Sequence, residues 1–224
     1  IDNDLPYTDF TLGFDTAVNT ACESINRIRE TSDSHGRASL ITVMGRNCGD
    51  IAVHTALACG AEFVMVPERP WSIEDVAGKI KWGVVNGKRS AIIVMAEGAF
   101  VSMTSDVRTL CEAYPQLSSI ATDHITSSML AAIIEAVSGQ ETRATVLGYI
   151  QRGGSPSARD RILASRLGAR AVELLRDDMG GLAVGVRGNM VVEVPLKDAQ
   201  LGEHAVNSKM AELIDIMAVM SKHS

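Results

Sequence analysis

The sequence lacks the features that mark several functional classes. It has four cysteines among 224 residues, and they form neither a CxxC pair nor a spacing typical of a zinc site: Cys22, Cys48, Cys59 and Cys111. No apolar run approaches the roughly 18 residues needed to cross a bilayer, and no secretory signal pattern opens the chain. We therefore expect reduced thiols in a cytoplasmic protein that has no membrane partner.

Excess basic charge and the common nucleotide motifs are also missing. The formal net charge is -6, from 21 Lys and Arg against 27 Asp and Glu, so we expect no nucleic-acid partner. A small anionic substrate is still compatible, because it needs only a few well-placed arginines. There is no GxGxxG after a strand, no GxxxxGK[ST] and no GxSxG. Dinucleotide-dependent hydride transfer, P-loop phosphotransfer and α/β-hydrolase chemistry therefore lack their signatures.

Alternating apolar periods predict an α/β fold. Segments with helical spacing are 14–30, 50–61, 72–88, 155–177 and about 203–220. Short apolar runs typical of buried strands are 39–45, 62–68, 90–98 and 143–149. Strands that alternate with helices indicate a parallel sheet covered on both faces. The stretch 182–196 instead contains two β-rich runs around Arg187-Gly188-Asn189 and predicts a hairpin.

Charged residues beside glycine follow three of the predicted strands. The three stretches are GRNCGD at 45–50, Glu97-Gly98, and YIQRGGSP at 149–156. Ligands bind beyond the carboxyl ends of strands in open α/β sheets, so these stretches are candidate site loops. In the last of them we expect Ser155 to cap the next helix, Pro156 to occupy its first turn and Arg152 to favour an anion. A tight capped turn without a ligand explains the same residues equally well.

Acidic residues open the chain in the stretch IDND. Beside anion sites a carboxylate suits a general base or a metal ligand, and Asp2 fits a base. The alternative, which this stretch taken alone favours, is that Asp2 and Asp4 cap the following helix. Taken alone, Arg37 is typical of a solvated surface side chain, and Arg143 of an ion pair with Glu141.

Taken together, these motifs resemble the 6-phosphofructokinase family, with the bacterial ATP-dependent type most similar. The matching stretches are IDNDLPYTDFTLGFDTA, VMGRNCGD, AEG and ETRATVLGYIQRGGSPSARDRILASRLGARAVELL. The resemblance runs over nearly the whole chain. It implies a member without its amino-terminal third, which would carry the nucleotide-binding glycine loop and the acid that holds magnesium. We therefore expect the metal ligand upstream of Ile1, no metal ligand in this chain, and no turnover by this stretch alone.

The resemblance implies roles residue by residue. Asp2 resembles the general base that takes the proton of the sugar 1-hydroxyl, and Arg46 the cation on the transferred phosphoryl group. The implied sugar-binding residues are Asp4, Arg37, Met44, Gly45, Arg46, Glu97, Arg143, Tyr149 and Arg152. In bacterial members Arg37 and Arg143 come from a neighbouring subunit, which implies a homotetramer. The implied effector-binding residues of an allosteric enzyme are Arg29, Gly60, Glu62 and Lys88.

The sequence departs from the family pattern at several places. Tyr149 stands where the family has a histidine near the 6-phosphate, Asn86 stands where a second effector lysine is usual, and Ser90 differs as well. A tyrosine still donates one hydrogen bond but carries no positive charge at neutral pH. The segment from about residue 100 to 138 is longer than bacterial members usually have.

The resemblance implies an ATP-dependent 6-phosphofructokinase of glycolysis, which uses Mg²⁺ to convert fructose 6-phosphate and ATP to fructose 1,6-bisphosphate and ADP. Asp50 after NCG favours ATP as the donor. The alternatives are a pyrophosphate-dependent relative and a non-catalytic, sugar-phosphate-binding regulatory subunit. Two Rossmann-like lobes are implied. Their expected parts are 1–13 at the end of the donor lobe, 14–151 as the substrate and effector lobe, 152–202 as a return to the donor lobe, and 203–224 as a final helix crossing back.

Overall fold

The computed structural model describes residues 1–199, 201 and 208–220. Its helices are α1 (Phe14–His35), α2 (Asp50–Cys59), α3 (Ile73–Val85), α4 (Val107–Ala113), α5 (Ser127–Ser138), α6 (Ala158–Arg176) and α7 (Ser208–Met220). Its strands are β1 (Ala38–Val43), β2 (Phe63–Met65), β3 (Ala91–Ala96), β4 (Thr142–Val146), β5 (Leu182–Arg187) and β6 (Met190–Pro195). Short 3₁₀ turns lie at Ala99–Ser102, Pro115–Leu117 and Gly148–Arg152.

Four strands form a parallel sheet in the order β2-β3-β1-β4. Every residue of β1 and β3 is buried, as continuous apolar runs require when helices cover both faces of a sheet. The helices fall into two packed groups, with α2 against α1 and α7, and α3 against α5. The predicted parallel sheet flanked by helices is therefore confirmed.

The segment between β3 and β4 completes the core. Its first half contains two short 3₁₀ turns and α4, and its second half is α5, which packs on α3 and β4. Leu117, Leu130, Ile133 and Ile134 are buried in it. The segment that is longer than in bacterial members of the family it resembles therefore supplies a helical layer for the sheet.

The cap of helix α6 lies two residues later than the sequence predicted. Ser157 is its cap, with a side chain that accepts a hydrogen bond from the Asp160 amide. The prediction that Ser155 caps this helix and Pro156 lies in its first turn is wrong. The physical reason is that the Ser157 amide donates to the Thr16 hydroxyl at 3.0 Å, which fixes the turn there.

The amino end of α1 is capped by a side chain from α6. Gly13 lies at the cap position with φ 86° and offers no side chain. The Asp160 carboxylate accepts hydrogen bonds from the amides of Gly13 (2.9 Å) and Thr16 (2.8 Å) and from the Thr16 hydroxyl. This buried carboxylate therefore joins the first turns of two helices that are 144 positions apart in sequence.

The predicted hairpin is confirmed as β5 and β6, an antiparallel pair. Its turn residues Gly188 and Asn189 both have positive φ, 51° and 70°, as a tight two-residue turn matched to strand twist requires. Thr8 and Asp9 bond to the backbone of Val186 in β5. The opening segment of the chain therefore runs beside this hairpin.

Helix α7 packs on α2 and β2, and its Asp215 carboxylate lies 2.9 Å from Arg69 and 3.5 Å from Lys79. Of the predicted final helix, 203–224, residues 203–207 and 221–224 lie outside the described residues. The proposed division of the chain into lobes stays a prediction. No helix in the described part of the chain is long and apolar enough to span a membrane.

The free thiols differ in their acidity. A hydrogen bond between the Cys22 and Cys59 thiols lowers the pKa of Cys59 and raises the pKa of Cys22, and the Arg29 charge lowers the pKa of Cys59 further. Burial raises the pKa of Cys48 to about 12. At neutral pH the thiolate fraction should therefore be larger at Cys59 than at Cys22 or Cys48.

Replacing Asp160 with Ala should destabilise the fold by about 2 kcal/mol, because the amides at the start of α1 lose their acceptor. Urea denaturation followed by circular dichroism measures the change. Asp177→Ala at the exposed end of the same helix is the control, and it should change the free energy of unfolding by less than about 0.5 kcal/mol. Equal losses in the two variants would contradict this role for Asp160.

Alkylation of the folded chain by iodoacetamide near neutral pH should modify Cys59 before Cys48, because only thiolates react. Mass spectrometry of peptides sampled over time gives both rates. Cys22→Ala should slow the reaction of Cys59, since it removes the hydrogen bond that lowers the pKa of Cys59. In urea the two sites should react alike, and equal rates in the folded chain would contradict the prediction.

Candidate active site

The loops that follow β1, β3 and β4 meet at the carboxyl edge of the parallel sheet. The Glu97 amide after β3 donates to the Val43 carbonyl in β1 at 2.9 Å. The Leu147 amide after β4 donates to the Thr42 carbonyl at 3.0 Å. The backbone ladders thus extend past the strands, and the three stretches singled out by sequence lie side by side.

The Arg46 loop has a tightly fixed backbone and an exposed side chain. Its amide donates to the Glu97 carboxylate at 2.8 Å, and Arg46 itself has φ 49°. A Cβ on Gly98 would lie 2.0 Å from the Arg46 carbonyl, and one on Gly45, at φ 142°, would lie 2.4 Å from the Cys48 carbonyl. Glycine at these two positions lets the loops approach closely, while the guanidinium remains exposed.

Asp2 faces Arg46 across this edge. Its Oδ2 lies 4.0 Å from Arg46 Nε, and its side chain is 14% exposed. Its Oδ1 is buried without a hydrogen-bond partner among the described residues. A carboxylate oxygen in that state has capacity to accept a proton from a bound hydroxyl.

The interpretation of Asp2 and Asp4 as helix caps is wrong. Helix α1 starts at Phe14, and the Asp160 carboxylate accepts the free amides of its first turn. Asp4 lies two positions after Asp2 and is exposed.

Asn3 is a site residue that the sequence reasoning passed over. It has φ 59° and is 2% exposed. Its Nδ2 donates to Asp50 Oδ2 at 2.6 Å and to the Asp9 carbonyl at 3.3 Å, and its Oδ1 accepts from the Thr11 amide at 2.8 Å. The signal was its position between two acids in IDND, since an amide there can both satisfy buried groups and tolerate a left-handed backbone.

Gln151 is a second residue that the sequence reasoning missed. It is 1% exposed, and its Oε1 accepts from the Met44 amide at 2.8 Å, which ties the QRGG loop to the end of β1. Its Nε2 has no hydrogen-bond partner in the described part of the chain. The Met44 side chain is buried in the core, so the predicted contact of Met44 with the sugar stays a prediction.

Arg152 and Tyr149 form an exposed pair beside Gln151. The Arg152 guanidinium carbon lies 5.7 Å from the centre of the Tyr149 ring, within cation–π range, and Tyr149 is 81% exposed. A cavity of about 320 Å³ adjoins Arg152 between the start of α1 and α6. The QRGG loop therefore presents a cation and a hydroxyl to solvent.

The structure does not bring Arg37 and Arg143 to this edge. Arg37 precedes β1 and Arg143 is the second residue of β4, so both lie at the amino edge of the sheet. Strand β1 separates the two edges by about 17 Å at its usual rise per residue. Within one chain these two arginines therefore lie apart from Asp2 and Arg46.

Both of these arginines contact Glu141. Arg143 lies 2.8 Å from the Glu141 carboxylate, which confirms the ion pair considered from the sequence. Arg37 lies 3.9 Å from the same carboxylate. The interpretation of Arg37 as a solvated surface side chain is wrong, because its side chain is only 25% exposed and its Nε is buried without a partner in the described chain.

The residues implied to bind an effector do lie together, at the end of α2. Arg29 donates to the Cys59 carbonyl, directly before Gly60, which ends the helix with φ 60°. Lys88 lies 3.1 Å from the buried Glu62 carboxylate. Their role in effector binding stays a prediction.

A divalent metal finds no ligand set in the part of the chain that the structure describes. Within 1–199, 201 and 208–220, no group of three or more His, Cys, Asp and Glu side chains could hold a metal ion. The residues present therefore do not fit a complete metal site, and we assign no metal ligand to them.

The side chain of Ile1 has a packing role in the structure. Its side chain is partly buried against the hydrophobic core and lines the cavity beside Arg152. A Cβ on Gly13 would lie 2.8 Å from Ile1 Cγ2, so glycine at position 13 leaves room for this side chain. The expectation of a ligand upstream of Ile1 stays a prediction.

Comparison with known proteins places the chain in a family. The family model described as Phosphofructokinase matches residues 1–175. An ATP-dependent 6-phosphofructokinase of Clostridium tetani is 47% identical over 95% of this chain and 59% of its own length. The enzyme of that name from Tolumonas auensis is 49% identical over 88% of this chain and 54% of its own length. The chain thus spans less than two thirds of these relatives.

Solved structures show the same fold. A phosphofructokinase of Saccharomyces cerevisiae superposes with a TM-score of 0.73 at 30% identity, over 99% of this chain and 27% of that one. A pyrophosphate-dependent phosphofructokinase of Nitrosospira multiformis gives 0.69 at 21% identity, over 92% and 52%. At this low sequence identity, the similarity shows a shared fold and nothing more. From the family match and the sequence relatives together, the chain belongs to the phosphofructokinase family.

Proposed function

We propose that the full-length protein is an ATP-dependent 6-phosphofructokinase, which transfers the γ-phosphoryl group of ATP to the 1-hydroxyl of fructose 6-phosphate. The observation that carries the proposal is the Asp2–Arg46 pair, with one buried carboxylate oxygen unpartnered in the described chain and the other 4.0 Å from the guanidinium. A base and a cation side by side suit phosphoryl transfer to a hydroxyl.

Each of the two groups has a separate task in this proposal. Asp2 takes the proton of the sugar 1-hydroxyl as its oxygen attacks the terminal phosphorus, and the bond from that phosphorus to the ADP oxygen breaks. Arg46 stabilises the negative charge that develops on the transferred group. Glu97 keeps the Arg46 backbone in place through the 2.8 Å hydrogen bond.

Arg152 and Tyr149 are proposed ligands of the sugar 6-phosphate. Arg152 supplies charge, and Tyr149 supplies one hydrogen bond. Arg37 and Arg143 are proposed to complete this site from a neighbouring subunit. Their position at the opposite edge of the sheet supports that arrangement, since one chain does not bring them to Arg152. A homotetramer with shared active sites follows from the proposal.

The proposal also includes ATP as the phosphoryl donor and Mg²⁺ as the metal. The names of the relatives at 47% and 49% identity favour ATP over pyrophosphate. We expect Mg²⁺ to neutralise charge on the donor phosphates, with ligands other than the described residues. The cluster of Arg29, Gly60, Glu62 and Lys88 is the proposed effector site, and glycolysis in the cytoplasm is the proposed setting.

The first experiment is an assay of the full-length protein for fructose 1,6-bisphosphate formation from fructose 6-phosphate and Mg²⁺. We expect turnover with ATP and none with pyrophosphate. Turnover with pyrophosphate alone would overturn the assignment of ATP as the donor and leave the proposed sugar-binding residues unchanged. Absence of turnover with both donors, together with calorimetric binding of fructose 6-phosphate, would indicate a non-catalytic regulatory subunit instead.

Asp2→Asn in the full-length protein should lower kcat by about 10²–10⁴-fold, because an amide cannot take the proton of the hydroxyl. The KM for fructose 6-phosphate should change little, since Asp2 is not a proposed phosphate ligand. Asp178→Asn, at an exposed turn with φ 60° that Asn tolerates, is the control and should keep full activity. A normal kcat in Asp2→Asn would exclude Asp2 as the base.

A further inference from the structure

The contact between Asp2 and Arg46 is too weak to set their relative position. Their charged atoms are 4.0 Å apart, and the Arg46 side chain is 75% exposed. A surface ion pair of that kind contributes little because solvent screens it and the arginine loses side-chain entropy. Some other contact must therefore fix the segment that carries Asp2 against the loop that carries Arg46.

Asn3 and Asp50 make that contact. Asn3 follows Asp2 directly, and Asp50 lies four positions after Arg46 at the first residue of α2. Their side chains are 2% and 5% exposed and are joined by a 2.6 Å hydrogen bond. The Cys48 thiol adds a second link, since its Sγ lies 3.7 Å from the Asn3 carbonyl oxygen.

We propose that the buried Asn3–Asp50 pair is a positioning device that holds Asp2 against Arg46, an inference that rests on the catalytic roles proposed for those two residues. Asn3 and Asp50 do not touch substrate in this scheme. They act by fixing two backbone segments that carry the reacting groups. A displacement of the order of 1 Å between such groups can cost about a hundredfold in rate.

The chemistry of position 3 calls for asparagine. The backbone there has φ 59°, which Asn tolerates better than most residues. The side chain must donate to a carboxylate and to the Asp9 carbonyl while it accepts from the Thr11 amide. Glycine would suit the backbone but has no amide group. Aspartate would suit the backbone but would place a second negative charge against Asp50.

The chemistry of position 50 calls for an acceptor. A carboxylate in the first turn of α2 is stabilised by the positive end of the helix dipole. The surroundings already hold other negative charges, because Glu68 and Asp4 act on the neighbouring Cys48 thiol together with Asp50. A carboxylate at position 3 would add a further negative charge to this group.

The sugar site has its own connection to the sheet. Gln151 connects the QRGG loop to the end of β1 through its hydrogen bond with the Met44 amide. Asn3 takes no part in this connection. Loss of the Asn3–Asp50 bond should therefore displace the groups that react without displacing Arg152. A fall in kcat without a rise in the KM for fructose 6-phosphate therefore distinguishes this positioning role from a general contribution to fold stability.

The test uses three variants of the full-length protein: Asn3→Asp, Asp50→Asn and the double exchange Asn3→Asp/Asp50→Asn. Asn3→Asp should lower kcat about a hundredfold with the KM for fructose 6-phosphate nearly unchanged. The double exchange restores one amide and one carboxylate, with donor and acceptor reversed, but lacks the bond to the Asp9 carbonyl. It should therefore recover part of that loss, at least tenfold. Asp50→Asn retains an oxygen acceptor and should be the milder single variant.

Asn19→Asp is the matched control. Asn19 donates to Asp15 at 3.3 Å on the exposed surface of α1, so the same substitution breaks the same type of hydrogen bond in water. It should leave kcat and the melting temperature nearly unchanged. Melting temperatures of all variants identify any loss that arises from unfolding.

Alkylation of Cys48 by iodoacetamide provides a measurement that does not depend on turnover. Asn3→Gly removes the amide without adding a negative charge that would itself suppress the Cys48 thiolate. It should speed modification of Cys48, which packs against the Asn3 carbonyl, and the double exchange should stay near the wild-type rate. If the wild type has no activity, the proposed function fails, and the Cys48 rates alone decide whether the pair fixes the two segments. Normal kcat in Asn3→Asp, a double exchange with no higher kcat than Asn3→Asp, or an unchanged Cys48 rate in Asn3→Gly would overturn the proposal.

Discussion

The parallel pairing of β1 with β3 on one side and β4 on the other determines where the loops that carry Arg46, Glu97 and Arg152 lie. Ala38 pairs with Ala91 and with Thr142, so the three strands run in register and end at one edge. The ladders continue past the strands to Glu97 and Leu147. Because parallel strands deliver their following loops to the same side, residues from distant parts of the sequence meet there.

Buried polar side chains connect the segments that this sheet brings close. Asp160 joins the starts of α1 and α6, Asn3 joins the opening segment to α2, and Gln151 joins the loop after β4 to the end of β1. Each is at most 5% exposed. A buried polar group that loses its partner costs free energy, so these contacts favour one arrangement of loops over others that bury equal apolar area.

The two edges of the sheet carry different chemistry. The carboxyl edge holds Asp2, Arg46 and Glu97 around glycines that allow close backbone approach. The amino edge holds Arg37 and Arg143, which share Glu141. If both arginines contact the sugar phosphate, as proposed, a second chain must bring its amino edge to the first chain's carboxyl edge. The geometry of the single chain therefore makes assembly a condition of the proposed sugar site.

Sequence alone determined the parallel α/β class, the hairpin at Gly188-Asn189 and the stretches that form the site, because hydrophobic periodicity and turn residues are local properties. Tertiary structure decided what depends on distant partners. Ser157 rather than Ser155 caps α6 because Thr16 binds its amide, and Asp160 rather than Asp2 or Asp4 caps α1. Asn3 is a site residue because its side chain binds Asp50, which lies 47 positions away. A single sequence does not indicate which distant residues will pair.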